Sequence, residues 1–285
     1  MTRIPHQRGR PHVASAYLFA SLLALGSSSS ARAQPTETGA ADRVPNESGT
    51  TQPEHSDGRL LLVRPFAGVG LTSRSFQRPT AEASQSLASA FVPAVEVGLY
   101  VSAWPDSTFS LSLSLHYRTS VLLTVTEATP FAVRNRLSVR SEQIELSVIP
   151  SLRLGESASD PRIGLSLGAC ARTFWPSEHT LMTPGYTLLG PHARIELILP
   201  AFEHWTIRLA PEAQWIVAID AALRRSGVAR QGVAWGGEAS LTLAFTPTWA
   251  VGIHYRESHA MAGGPAGRPF RDIERYLTAR IEGTF

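Results

Sequence analysis

The sequence contains no lysine. Its 26 basic residues are all arginine, set against 23 acidic ones for a net charge of +3. That near-balance leaves no strong field for nucleic acid, and the preference for arginine reads as genome composition bias. A single cysteine, Cys170, excludes an internal disulfide framework and reads as a small strand filler. Past residue 33 no stretch reaches the roughly 20 apolar residues of a spanning helix, so any membrane crossing would have to use strands. No glycine-rich loop cradles a phosphate between strand and helix, and no Cys/His cluster has metal-ligand spacing. No cofactor, metal or nucleic-acid partner is expected.

What is present begins with an export signal. Arg3, Arg8 and Arg10 form a basic start, Val13 to Gly26 an apolar core, and Ala31-Arg32-Ala33 a small-x-small cleavage site. Residues 1–33 are thus expected to be a cleaved signal peptide. Residues 34–58 are polar, rich in Pro, Gly and Thr, and lack an apolar period. They bury too little to offset their ordering entropy, which predicts a disordered periplasmic leader.

From Arg59 to Phe285 the pattern is period two. "FVPAVEVGLYVSAW" sets Phe91, Pro93, Val95, Val97, Leu99, Val101 and Ala103 against Glu96, Gly98, Tyr100 and Ser102. "FSLSLSLHYR" alternates Leu with Ser, and "WTIRLAPEAQWIV" sets Trp205, Ile207, Leu209, Ala213 and Trp215 against Arg208, Glu212 and Gln214. Counting such segments predicts about ten strands, with eight or twelve as alternatives. Longer and shorter links alternate along the chain, starting with a long link from Arg74 to Ala90 and a tight "WPDST". In the fourth strand the apolar set moves from odd (Val133, Leu137, Val139) to even (Ile144, Leu146, Val148) positions. That predicts a bulge near Arg140 to Gln143, or else a loop that extends into this region.

The chain ends "RYLTARIEGTF", with Leu277, Ala279, Ile281 and Phe285 on one face of a strand that stops on an aromatic. This resembles the C-terminal signature of bacterial outer-membrane β-barrel proteins, whose last strand is read by the assembly machinery. The match covers that strand, and the signal peptide and loop rhythm fit the class. The resemblance implies a single all-β, antiparallel, up-and-down transmembrane barrel. It implies outer-membrane lipid and the barrel-assembly machinery as partners, with both termini periplasmic.

Alternation alone does not say which face is inside, since a soluble exported barrel binding an apolar ligand shows the same period. The polar face mixes Gly and Ser with Arg and Glu, a small-large mixture suited to a confined lumen. The other face carries Trp205, Trp215, Trp235 and Trp249. Apolar side chains are therefore expected outward.

Even-numbered positions then bring Glu96, Arg118, Arg162, Arg172, Arg194, Glu196, Arg208, Glu212, Asp220, Glu238, Arg256, Glu274, Arg280 and Glu282 into the lumen, with Glu145 and Arg153 if the fourth strand shifts. The signs nearly cancel, whereas a selective channel uses a ring of one charge. A salt-bridged, largely plugged interior is expected. The weak catalytic candidates are His254 with Ser258, placed toward the outer rim, and His116. Their spacing is automatic in a strand, and a histidine bonded to a nearby carboxylate is the expected state. The expected role is non-enzymatic: membrane integrity, surface or receptor duty, or limited small-solute passage. The alternative is a rim enzyme acting on lipid or peptide.

Overall fold

The computed structural model describes residues 60–79, 84–120, 123–128, 136–157, 159–176, 185–202, 204–225 and 227–285. The expected signal peptide and leader lie outside these residues. The described chain is a closed antiparallel β-barrel. Its ring is β1 (Leu61–Pro79), β3 (Val92–Ala103), β4 (Phe109–Ser120), β6 (Arg136–Arg153), β7 (Arg162–Pro176), β8 (Tyr186–Phe202), β9 (Trp205–Ile216), β11 (Gly232–Ala244), β12 (Trp249–Ala262) and β13 (Phe270–Gly283). β13 pairs back onto β1 from Phe66↔Glu282 to Gln77↔Arg271, which closes the ring and leaves no open edge.

Two further strands lie outside the ring. β2 (Ser84–Ser89) pairs with the end of β1, and β5 (Leu123–Ala128) joins β2 to β6. They prolong the walls of β3 and β4 beyond the barrel rim. β10 (Ala218–Ile219) continues β9 against β8, and a short helix, α1 (Ala221–Arg225), follows it. The expected long link from Arg74 to Ala90 is therefore mostly strand. The serine-rich "SQSLAS" hides a β segment whose partners, not its own period, hold it extended.

The register fixes the shape. From Arg64 the pairing runs through Tyr100, Ser114, Ser147, Gly168, His192, Gln214, Ala234, Ala260 and Asp272 to Phe76, a displacement of twelve residues along β1. With ten strands this stagger tilts each strand about 40° from the barrel axis. The expected bulge is not in β6. That strand pairs with β7 without interruption from Val139↔Pro176 to Val148↔Leu167, and its odd residues face inward from Val139 to Arg153. On the neighbouring side the register changes by one residue, from Thr119↔Glu142 with β4 to Leu123↔Val139 with β5. Val139 points inward like Gln143 and Glu145. What changes along β6 is the chemistry of the lumen, not the facing of the strand.

Apolar side chains face outward, as the residue mixture predicts. Leu113, Leu146, Leu167, Leu209, Ile253 and Leu277 are all exposed, while Glu96, Arg118, Arg194, Glu212 and Arg280 are buried. The apolar-inward arrangement of a soluble barrel around an apolar cavity is not the one found along these strands. Two rings of aromatic side chains bound the outer band. Trp104, Phe202, Trp205, Phe245, Trp249 and Phe285 lie at the short-turn end, and Trp175, Trp215 and Trp235 nearer the other. Trp205 and Trp215 stand ten residues apart on β9, about 33 Å along the strand and, at the tilt above, about 25 Å in height.

Candidate functional site: the barrel lumen

The lumen has three zones. Its middle is a lattice of ion pairs with two main hubs. Glu96, on β3, accepts from His116 (3.1 Å), Arg118 Nε (3.0 Å), the Thr278 hydroxyl (2.7 Å) and Arg280 Nε (2.9 Å). Arg280 reaches Glu96 across β1 because Gly68 stands between them. A Cβ there would come within 2.9 Å of the Glu96 side chain. The second hub is Glu212, which takes two hydrogen bonds of 2.7 Å from Arg256 Nη2 and one of 3.3 Å from Arg194. Glu145 receives Arg194, Arg256 (3.1 Å) and His192 (3.3 Å). Arg208 binds Glu196 at 2.7 Å, and Arg280 lies 3.6 Å from Glu282. Charge-assisted pairs of this kind hold best when their remaining donors are also met.

Four contacts cross the barrel between walls five places apart in the ring of ten. They are Arg208 with the Tyr100 hydroxyl (3.2 Å), Arg118 with Glu238 (3.0 Å), Arg256 with Glu145 (3.1 Å) and Arg74 with the Tyr186 hydroxyl (3.2 Å). Each joins opposite walls directly. Side chains fill a barrel of this size across its diameter.

Above the lattice the lumen becomes apolar, which the sequence pattern did not reveal. Phe76, Val139, Phe174, Tyr186, Leu188, Ile216 and Phe270 form a buried cluster that also takes in Leu87, Ile219 and Leu223 of α1. Phe174 stacks on Tyr186 at 5.3 Å, and Phe76 and Phe270 meet these rings edge-on at 5.1 and 5.5 Å. Beneath this cap Arg74 binds Asp272 through two bonds of 2.9 and 2.5 Å. Neither Arg74 nor Asp272 was expected inside, because one fell in the supposed link and the other at a strand boundary. Both are even-numbered, so the even-number rule, applied at Asp272 and carried one residue into the link at Arg74, would have found both.

The third zone is a cavity of about 430 Å³ at the short-turn end, bordered by inward residues of every wall.

The weak catalytic candidates do not assemble into a site. Ser258 is buried and bonded to Arg172, inside the lumen rather than at the rim. His254 lies 3.5 Å from Glu238 and 3.6 Å from Glu282, with Arg256 between it and Ser258 on the strand. His116 is held by Glu96. Each lumenal histidine stands against a carboxylate, the ordinary structural state. Cys170 is buried and free. The four residues of the C-terminal signature, Leu277, Ala279, Ile281 and Phe285, are all exposed. Phe285 exchanges backbone hydrogen bonds of 2.9 Å with Val63 in both directions, and its ring meets Trp249 edge-on at 5.8 Å.

Fold and lumen together define a class: a ten-stranded closed barrel, apolar outside, with an ion-paired interior capped at one end. Solved structures with similar chains include the outer membrane protease OmpT from Escherichia coli, at 11% identity over 79% of this chain and 97% of that chain, TM-score 0.48. The translocator domain of autotransporter NalP from Neisseria meningitidis is similar at 10% identity over 81% of this chain and 90% of that one, TM-score 0.39. The outer membrane protein OprG from Pseudomonas aeruginosa is similar at 11% identity over 79% and 95%, TM-score 0.35. No family model and no curated protein matches the sequence.

Proposed function

We propose that this chain is an integral outer-membrane barrel, sealed along its axis, with a structural or receptor role and no catalytic one. The observation that carries the reading is the outer surface. A band of Leu, Ile and Val about 25 Å tall lies between two aromatic girdles, which is the dimension of an outer-membrane hydrocarbon belt. Such a surface exposed to water would drive aggregation. The first barrel strand starts and the last one ends at the short-turn side, which under this reading faces the periplasm. The exposed Phe285, paired to β1 at the ring seam, is the group offered to the assembly machinery.

Among the non-enzymatic roles, the four cross-lumen contacts favour membrane integrity or receptor duty over solute passage. Reconstituted in a planar bilayer, the protein is expected to give no steady conductance. It is expected to partition with outer-membrane fractions and to migrate differently on a detergent gel before and after heating. Recovery in the soluble periplasmic fraction would overturn the membrane reading, and a stable open channel would overturn the sealed lumen.

A further inference from the structure

The seven arginines deepest in the lumen are all ion-paired. Arg74, Arg118, Arg172, Arg194, Arg208, Arg256 and Arg280 each lie within 4.0 Å of a carboxylate. Three more inward arginines stand near the short-turn end, and they break this rule. Arg64, Arg153 and Arg162 form no ion pair with any described carboxylate. Arg153 and Arg162 are direct cross-strand partners, an arrangement of like charges that costs stability unless something neutralises it. Both donate to the same neutral acceptor, the Pro105 carbonyl, at 3.4 and 2.6 Å. Arg64 lies over the Tyr100 ring at 5.7 Å, and its Nε, like that of Arg153, is buried without an acceptor among the described residues.

Arg64 and Arg162 line the 430 Å³ cavity, and Arg153 stands beside Arg162. The carboxylates of that cavity are largely committed: Glu196 to Arg208, Glu282 to Arg280, and Asp160 to the Ser157 amide at 2.6 Å. Asp106 remains, exposed on its turn, and leaves the three guanidiniums in excess. The rest of the wall is rich in hydroxyls, including the Ser102–Ser112 and Ser110–Ser151 pairs, each at 2.7 Å. Inward, the cavity ends at the Arg208–Tyr100 contact.

We infer that this blind vestibule binds a small phosphate-class oxyanion, entering from the short-turn end and held by Arg64, Arg153 and Arg162. Hydroxyls on the ligand body meet the serine wall. The volume, that of about fourteen water molecules, admits a compact sugar- or glycerol-phosphate but not a lipid with acyl chains. The site depends on the barrel and its lumen. Only the compartment that supplies the ligand depends on the membrane reading.

The test uses the full mature chain, folded in a maltoside detergent that carries no phosphate. Inorganic phosphate and glycerol phosphate are titrated by calorimetry, and heat-modifiable gel migration certifies each variant as folded. Saturable phosphate binding is expected, tighter for glycerol phosphate. Arg162→Gln should weaken it about tenfold, the loss of one charge-assisted contact, and the triple variant with Arg64→Gln and Arg153→Gln should abolish it. Phosphate should raise the unfolding temperature of the native barrel and leave that of the triple variant unchanged. No saturable binding to the folded native chain would overturn the inference, as would undiminished binding by the triple variant. Competition by a short-chain phospholipid as strong as that by glycerol phosphate would move the site to the barrel exterior and overturn it too.

Discussion

Replacing Glu96 by Gln removes one charge and almost no volume, and it tests whether the lattice is dry. Glu96 is 1% exposed and the Arg280 side chain that it binds is fully buried. Arg118 keeps Glu238 as a second partner at 3.0 Å, so it is not stranded. Arg280 keeps one carboxylate, Glu282 at 3.6 Å, and the Phe66 ring at 4.2 Å, and its two terminal nitrogens lack hydrogen-bond acceptors among the described residues. The variant therefore leaves one guanidinium poorly compensated in the interior, a change that costs about 3–5 kcal/mol when a buried pair loses one member. At about 2–4 °C per kcal/mol for a chain of this size, the unfolding temperature should fall by about 6–20 °C. The measurement is the midpoint of the gel-mobility shift as the heating temperature is raised, compared with urea unfolding from vesicles. Adding Arg280→Gln to Glu96→Gln should recover part of the loss, since the fully buried guanidinium is then gone and only the less buried Glu282 loses its arginine. A cost under about 1 kcal/mol for Glu96→Gln, the range of solvated surface pairs, would mean that water reaches the lattice and would refute the dry-interior argument.

Three further outcomes are expected. Cysteine at position 209 should react with a lipid-soluble maleimide and not a charged one, whereas cysteine at 212 should not favour the lipid-soluble reagent; Leu209→Arg should cost about 2–4 kcal/mol if it lies near the bilayer midplane. Deleting Phe285, or replacing it by Asp, should lower the folded barrel in the membrane while export across the inner membrane continues, read by protease shaving against total protein. Gly98→Ala puts a Cβ 2.1 Å from the Phe66 ring and should cost about 1–3 kcal/mol as overpacking, visible as a lower midpoint of the gel shift.

The strands of the ring were legible because one buried and one exposed face impose a strict period of two. "FVPAVEVGLYVSAW" maps onto β3 almost residue for residue, and Arg118, Arg194, Glu212 and Arg256 all point inward as their parity requires. Legibility failed where a lumenal position is itself apolar. Val139, Phe76 and Phe174 sit on the inward face, yet their chemistry matches the outward one, so the cap looked like a shift of register in β6 and like loop in β1. A sequence period reports contrast between faces, and the capped end has little contrast. Pairing across the lumen was equally hidden, because the diametric partners Arg118 and Glu238 are separated by 120 residues.

The closure of β13 on β1 has a consequence for how the barrel forms and fails. The Thr72 hydroxyl bonds the Arg275 carbonyl across 203 residues of sequence, and Glu96 waits for Arg280 across 184. No early hairpin can therefore complete the lattice, and contacts of such long range make folding slow. Until the last strand docks, the arginines and glutamates of the half-built wall remain solvated, and their desolvation belongs to a late step. The same order in reverse gives the native state a high exit barrier. Opening the seam exposes Glu96 and Arg280 together before any new contact forms, and interactions completed only after the transition state slow unfolding rather than speed folding. Persistence in the folded state is then a matter of rate as much as of equilibrium.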